Sequence, residues 1–116
     1  MKYLCLIYGD ESQMPVPTRE APMPMMAEYH AFTEDIRKSG QLLAGEALQR
    51  TETATTVRIR SGQLSMTDGP FAETKEQLGG FYMIEAADLN EALGIAARIP
   101  GAKSGSVEVR PVRIFS

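Results

Sequence analysis

Few residues in this sequence have types and spacing suited to chemistry, and Asp68 is the first of them. It lies in Thr67-Asp68-Gly69-Pro70-Phe71, at the end of a predicted strand and before a Gly-Pro break. A carboxylate held at a sharp turn can act as a general acid or base, accept a hydrogen bond, or anchor a ligand. The same residue before Gly-Pro can also cap its own turn by accepting from nearby backbone N–H groups. Glu73, Lys75 and Glu76 follow closely. They would form the rim of a polar pocket, with Glu73 and Lys75 as ligand contacts and Lys75 holding an anionic group, or else a solvated loop.

Tyr29 and His30 are the other candidates for a catalytic role beside Asp68. His30 is the sole histidine, the side-chain type that changes charge nearest neutral pH. Met26, Tyr29, Phe32 and Ile36 recur at helical spacing, and His30 lies roughly 130° from the centre of that stripe. It therefore belongs on the helix flank, partly exposed. Tyr29 belongs on the buried face, where its hydroxyl either reaches a cleft or packs within the core. One His and one Cys cannot complete a zinc site, so no metal is expected. No phosphate-cradling glycine loop and no nucleophile elbow occur, so no cofactor is expected either.

The elements that must position these residues can be read in order. Tyr3-Leu4-Cys5-Leu6-Ile7-Tyr8 predicts a central strand with apolar residues on both faces. Pro15, Pro17, Pro22 and Pro24 make the next stretch a long surface loop. A helix starts near Pro24 and stops at Gly40. Leu42–Leu48 predicts a strand bulged at Gly45. Thr55–Arg60 and Gln63–Thr67 predict a hairpin closed by Ser61-Gly62, with Val57, Ile59, Leu64 and Met66 on one face. Gly79–Glu85 is a further strand. Asp88 and Glu91 open a second helix as a capping box, and Pro100-Gly101 closes it. The last strand carries Val107, Val109, Val112 and Ile114, with Pro111 at an edge or bulge. The order is β-α-β, hairpin, β-α-β: an α+β, ferredoxin-like pattern with an inserted hairpin.

Length and charge bound the rest. A chain of 116 residues, 43% of them apolar, fits one domain over 1–116 with a modest core. One sheet face is left thinly covered, which predicts a homodimer. A net charge of −3 with both signs dispersed excludes a non-specific nucleic-acid surface. No apolar run is long enough to span a membrane, and the N-terminal flanks are wrong for a signal peptide, so a cytoplasmic location is expected. Cys5 is the only cysteine, which excludes an internal disulfide and suits a small buried thiol.

The long string Gly45-Glu46-Ala47-Leu48, Thr55-Thr56-Val57-Arg58 and Asp68-Gly69-Pro70-Phe71-Ala72-Glu73-Thr74-Lys75-Glu76-Gln77-Leu78-Gly79-Gly80-Phe81-Tyr82 resembles the DGPF branch of the YCII-related proteins. Tyr8-Gly9-Asp10-Glu11 and Gly105-Ser106-Val107-Glu108-Val109-Arg110-Pro111 are similar too, so the resemblance covers nearly the whole chain. It implies a dimeric α+β barrel, two ferredoxin-like units facing each other across their sheets. It also implies a link to transcription initiation, because some relatives are fused to or encoded beside sigma-factor domains. The wider group has been proposed to be enzymatic through a His and an Asp in a cleft. Here Tyr29 stands about where that histidine would fall and Ile99 where that aspartate would fall, so the pair is not carried over. The expectation is a homodimeric module that binds a small molecule or serves regulation near Asp68. The alternative is a small enzyme using Asp68 as acid or base with Tyr29, His30 or Lys75, and a third is a structural dimer whose turn motif serves folding only.

Overall fold

The computed structural model describes residues 1–20 and 25–115, and the alternation read from the sequence organises it. Strand β1 (Lys2–Gly9) buries Tyr3 and Cys5 on one face and leaves Leu4 and Leu6 half-buried on the other. Helix α1 (Met26–Lys38) is followed by β2 (Leu42–Ala47), β3 (Thr55–Arg60), β4 (Gln63–Asp68) and β5 (Gln77–Glu85). Helix α2 (Leu89–Ala96) and β6 (Ser106–Pro111) complete the order. Among the described residues the architecture is mixed α+β, with two helices and two antiparallel sheets. One sheet has the order β2-β5-β1-β6, and the other is the β3-β4 hairpin alone. No helix among the described residues is long and apolar enough to cross a membrane.

The helices cover one face of the four-stranded sheet. Phe32 and Ile36 of α1, Ala92, Ile95 and Ala96 of α2, and Ile99 pack on Tyr3, Cys5 and Ile84. Ile36, Ile84, Ile99 and Cys5 are the largest fully buried side chains. Each fully buried aliphatic residue contributes about 1.5–3 kcal/mol. Cross-strand register sets the opposite face: Leu4 stands across from Met83 and Leu6 from Phe81, and all four remain half-buried. No helix among the described residues covers that apolar strip.

Local chemistry explains where elements end. Gly40 adopts φ +77°, and its N–H donates to the Arg37 carbonyl while the Gln41 N–H donates to that of Ile36, which closes α1. The expected helix start at Pro24 lies outside the described residues. Asp88 Oδ1 accepts from the Glu91 N–H at 2.9 Å, as an N-cap should. The Glu91 carboxylate reaches back to the Ala87 N–H rather than to that of Asp88, one residue beyond the predicted box. Ser61 (φ +51°) and Gly62 (φ +75°) make the tight hairpin turn.

Several details differ from the sequence reading, among them β5 starting at Gln77 rather than Gly79. The irregularity in β2 falls between Leu42 and Ala44, not at Gly45. Gly45 instead makes room for an aromatic ring: a Cβ there would lie 2.7 Å from Tyr82 Cδ1. Helix α2 ends at Ala96, and a 3-10 turn (Pro100–Lys103) carries the chain onward. Strand β6 ends at Pro111, so Ile114 lies beyond it and is exposed.

Candidate functional site

Asp68 closes β4 opposite Thr55, on the same side of the hairpin as Met66 and Leu64. The turn after it is fixed by other groups. The Gly69 N–H donates to the Ala54 carbonyl at 2.7 Å, and the Thr56 hydroxyl donates to the Gly69 carbonyl at 2.9 Å. Gly69 has φ +102°, a conformation that glycine alone adopts freely. Among the described residues the Asp68 carboxylate accepts no hydrogen bond and forms no ion pair, and it is exposed. Its acceptor capacity is thus unspent, whereas a turn-capping aspartate would use it on neighbouring N–H groups.

A knot of polar residues forms where β1 ends. Asp10 Oδ1 accepts from the Ser12 hydroxyl at 2.6 Å and the Ser12 N–H at 3.0 Å. These bonds, with a smaller contribution from the positive charge of Lys75, hold the Asp10 carboxyl below its ordinary value. The Glu11 N–H donates to the Gln77 side-chain oxygen at 2.9 Å. The Glu11 carboxylate receives the Thr51 hydroxyl at 2.6 Å and the Thr51 N–H at 3.0 Å. Arg50 reaches the carbonyls of Glu11 and Met14 at 3.4 and 3.5 Å, and its buried Nε makes no hydrogen bond among the described residues but lies 3.6 Å from the Glu52 carboxylate. The Ser106 hydroxyl donates to Glu76 at 2.7 Å. These bonds tie the loop after β1, the turn before β3, and the connection into β5 to one end of the sheet.

Sequence reasoning missed Arg50, Thr51 and the structural use of Glu11, Gln77 and Ser106. The available signal was the string Tyr8-Gly9-Asp10-Glu11, whose acidic pair follows a strand. The carbonyls that Arg50 reaches lie 36 and 39 residues away, which no local pattern marks, although Glu52 two residues on pairs with it at 3.6 Å.

The predicted residues do not converge into one constellation. Lys75 lies near Asp10, forms no ion pair within 4.0 Å among the described residues, and is exposed. Glu73 is likewise exposed and unpaired among the described residues. Tyr29 points inward, and its hydroxyl accepts from the Gly101 N–H at 3.1 Å. Burial pushes its phenol pKa up, opposed in part by that donated hydrogen bond. His30 faces outward from the next position of α1. No hydrogen bond or ion pair among the described residues links Asp68 to Tyr29, His30, Glu73 or Lys75.

Two other features have little free chemistry. The groove between α1 and the segment that follows α2 is lined by Glu28, Glu34, Asp35, Lys38, Arg98 and Lys103. Most of its charges are paired, with Lys103 on Glu28 at 2.6 Å, Arg98 on Asp35, and Glu34 on the neighbouring Arg37. No group of three or more His, Cys, Asp or Glu side chains among the described residues is placed to hold a metal ion.

The arrangement therefore offers an outward carboxylate at the hairpin root and a braced polar rim with a free ammonium. Such a set is suited to polar groups, and no nucleophile and base are assembled in it among the described residues. The family profile described as YCII-related domain matches residues 1–116. The chain is also similar to an uncharacterised protein, R00369, of Rhizobium meliloti (strain 1021), at 39% identity over 117 residues, covering 99% of this chain and 94% of that protein.

Proposed function

The chain belongs to the YCII-related family, and from that premise we propose that it is a cytoplasmic, homodimeric binding module of the DGPF branch. It takes a small polar molecule at Asp68 and the rim carrying Glu73 and Lys75, and serves regulation in sigma-factor-dependent transcription without touching nucleic acid itself. The strand order β2-β5-β1-β6, with α1 and α2 on one face, supports a ferredoxin-like unit. The uncovered strip of Leu4, Leu6, Phe81 and Met83 supports pairing of two such units across their sheets. Its apolar centre is flanked by Glu46 and Glu108, the arrangement of an interface core and rim.

One observation carries the binding reading: the Asp68 carboxylate stands outward on a turn that Ala54 and Thr56 hold, with none of its acceptor capacity used. An ionised acceptor presented this way suits a ligand with an ammonium, amide or hydroxyl donor. A thermal-shift screen of the dimer against soluble amines, amino acids and nucleosides tests it. A compound that stabilises the wild type is expected to bind Asp68→Asn roughly tenfold to hundredfold more weakly, the worth of one charge-assisted hydrogen bond. The unliganded melting temperature should barely move, since the side chain supports no contact of the fold. Equal affinity in both proteins would remove Asp68 from the site.

A further inference from the structure

The hairpin β3-β4 stands apart from the rest of the molecule. Among the described residues its strands pair only with each other. The radius of gyration is 16.1 Å, where a compact chain of this length gives about 13 Å. Val57 stands opposite Met66 and Ile59 opposite Leu64, so these four share one face. They are 58%, 66%, 64% and 60% exposed in that order, and Phe71 just beyond is 79% exposed. Arg58, Arg60, Gln63 and Ser65 take the other face. The stripe is therefore sorted as a surface to be covered, and none of the described residues of its own chain covers it.

A two-stranded hairpin is marginal in water unless its apolar face packs on something. We propose that this hairpin is an intermolecular arm: its apolar face closes over a second copy of the same chain, at the margin of that copy's open sheet face. The amount of surface points to this occupant. Taking about 100 Å² for a buried aliphatic side chain and about 200 Å² for Phe, the exposed fractions give roughly 400 Å² of apolar arm. A stable interface takes about 800 Å² from each partner, so the arm alone falls short. The strip of Leu4, Leu6, Phe81 and Met83 is half-buried and adds up to about 150 Å² by the same reckoning. The sum of roughly 550 Å² is about the apolar share of a homodimer face of about 800 Å², of which about 65% is apolar. A two-fold pairing buries each patch on both subunits.

The arm also ties the dimer to the site. Asp68 lies on the apolar side of the hairpin, one step beyond Met66. The partner that covers Met66 and Val57 supplies a wall beside Asp68, and the binding site is complete only in the dimer. This inference rests on the homodimer proposed above and adds the arm to it.

Sedimentation equilibrium over a dilution series separates the two claims. The proteins are the wild type, Ile59→Lys/Met66→Lys, and Ile59→Thr/Met66→Thr, whose threonines keep strand propensity should the lysines unfold the arm. The wild type is expected to dimerise, and both arm variants to raise the dissociation constant at least tenfold with the helical circular dichroism kept. Amide exchange across 57–66 should slow as wild-type concentration rises through that constant. A dimeric wild type whose constant changes less than twofold in the threonine variant overturns the arm and leaves the sheet-to-sheet dimer standing. A wild type that stays monomeric at high micromolar concentration overturns both.

Discussion

Gly105→Ala is expected to lower the melting temperature by roughly 12 °C, from a loss of about 3 kcal/mol. Gly105 precedes β6 at the point where it meets the end of β1. A Cβ on it would lie 2.1 Å from the Tyr8 carbonyl oxygen and 3.2 Å from Gly9 Cα. Both neighbours are backbone, so no side chain can swing away to make room. Tyr8 is also held, being paired with Ser106 on one side and with Leu78 on the other. The strain would spread into the knot at this end of the sheet, where Ser106 holds Glu76 and Gln77 holds Glu11. Gly94 is the internal control. It sits within α2 with nothing inside 4 Å of its added Cβ, so Gly94→Ala should stabilise by up to about 1 kcal/mol through helix propensity. Thermal unfolding by circular dichroism reads both. A Gly105→Ala protein melting within 3 °C of wild type, a margin of roughly 1 kcal/mol, would show that β1 and β6 can separate cheaply here.

The same region shows which features a sequence exposes and which it hides. Gly40 and Asp88 were legible because a helix end is a local problem: a left-handed residue or a side-chain acceptor within three positions solves it. The period-two patterns of β1 and of the hairpin were legible for the same reason, as was the sorting of Val57, Ile59, Leu64 and Met66 to one face. Alternation names a face but not what covers it. Nothing in Thr55–Asp68 states that these strands leave the main sheet and stand as a separate pair. The use of Gly45 as room for the Tyr82 ring depends on a strand 37 residues on, which no pattern around Gly45 announces. Asp68 was found because Asp-Gly-Pro is a conspicuous local string. That its carboxylate is unspent depends on Ala54 and Thr56 across the hairpin. The bonds of Glu11 to Thr51 join residues 40 apart, and no local pattern announces them.

Cys5 sets the second large effect, a loss of stability in alkali. Its side chain is fully buried on the helix-covered face of β1. Burial disfavours the thiolate and pushes its pKa up to about 11 from 9.0. Below pH 9 both the folded and the unfolded chain keep the proton, and the thiol adds no pH dependence. Between pH 9 and 11 the unfolded chain ionises first, so it holds fewer protons than the native state and stability falls as pH rises. Above about 11 both forms are ionised, and the loss is complete at about 3 kcal/mol. Tyr29, whose pKa burial also raises above 10.0, extends the decline to higher pH. Urea denaturation at pH 8, 9, 10 and 11 on wild type and Cys5→Ala measures it. The variant should start less stable, because it leaves a small void, and should then lose less on going from pH 9 to 11. The native thiol should also resist a disulfide reagent at pH 8 until urea unfolds the chain, since only an exposed thiolate reacts. Parallel stability curves for the two proteins across that range would show that the thiolate forms as easily inside this core as in water, and that the face of β1 beneath the helices is open to solvent.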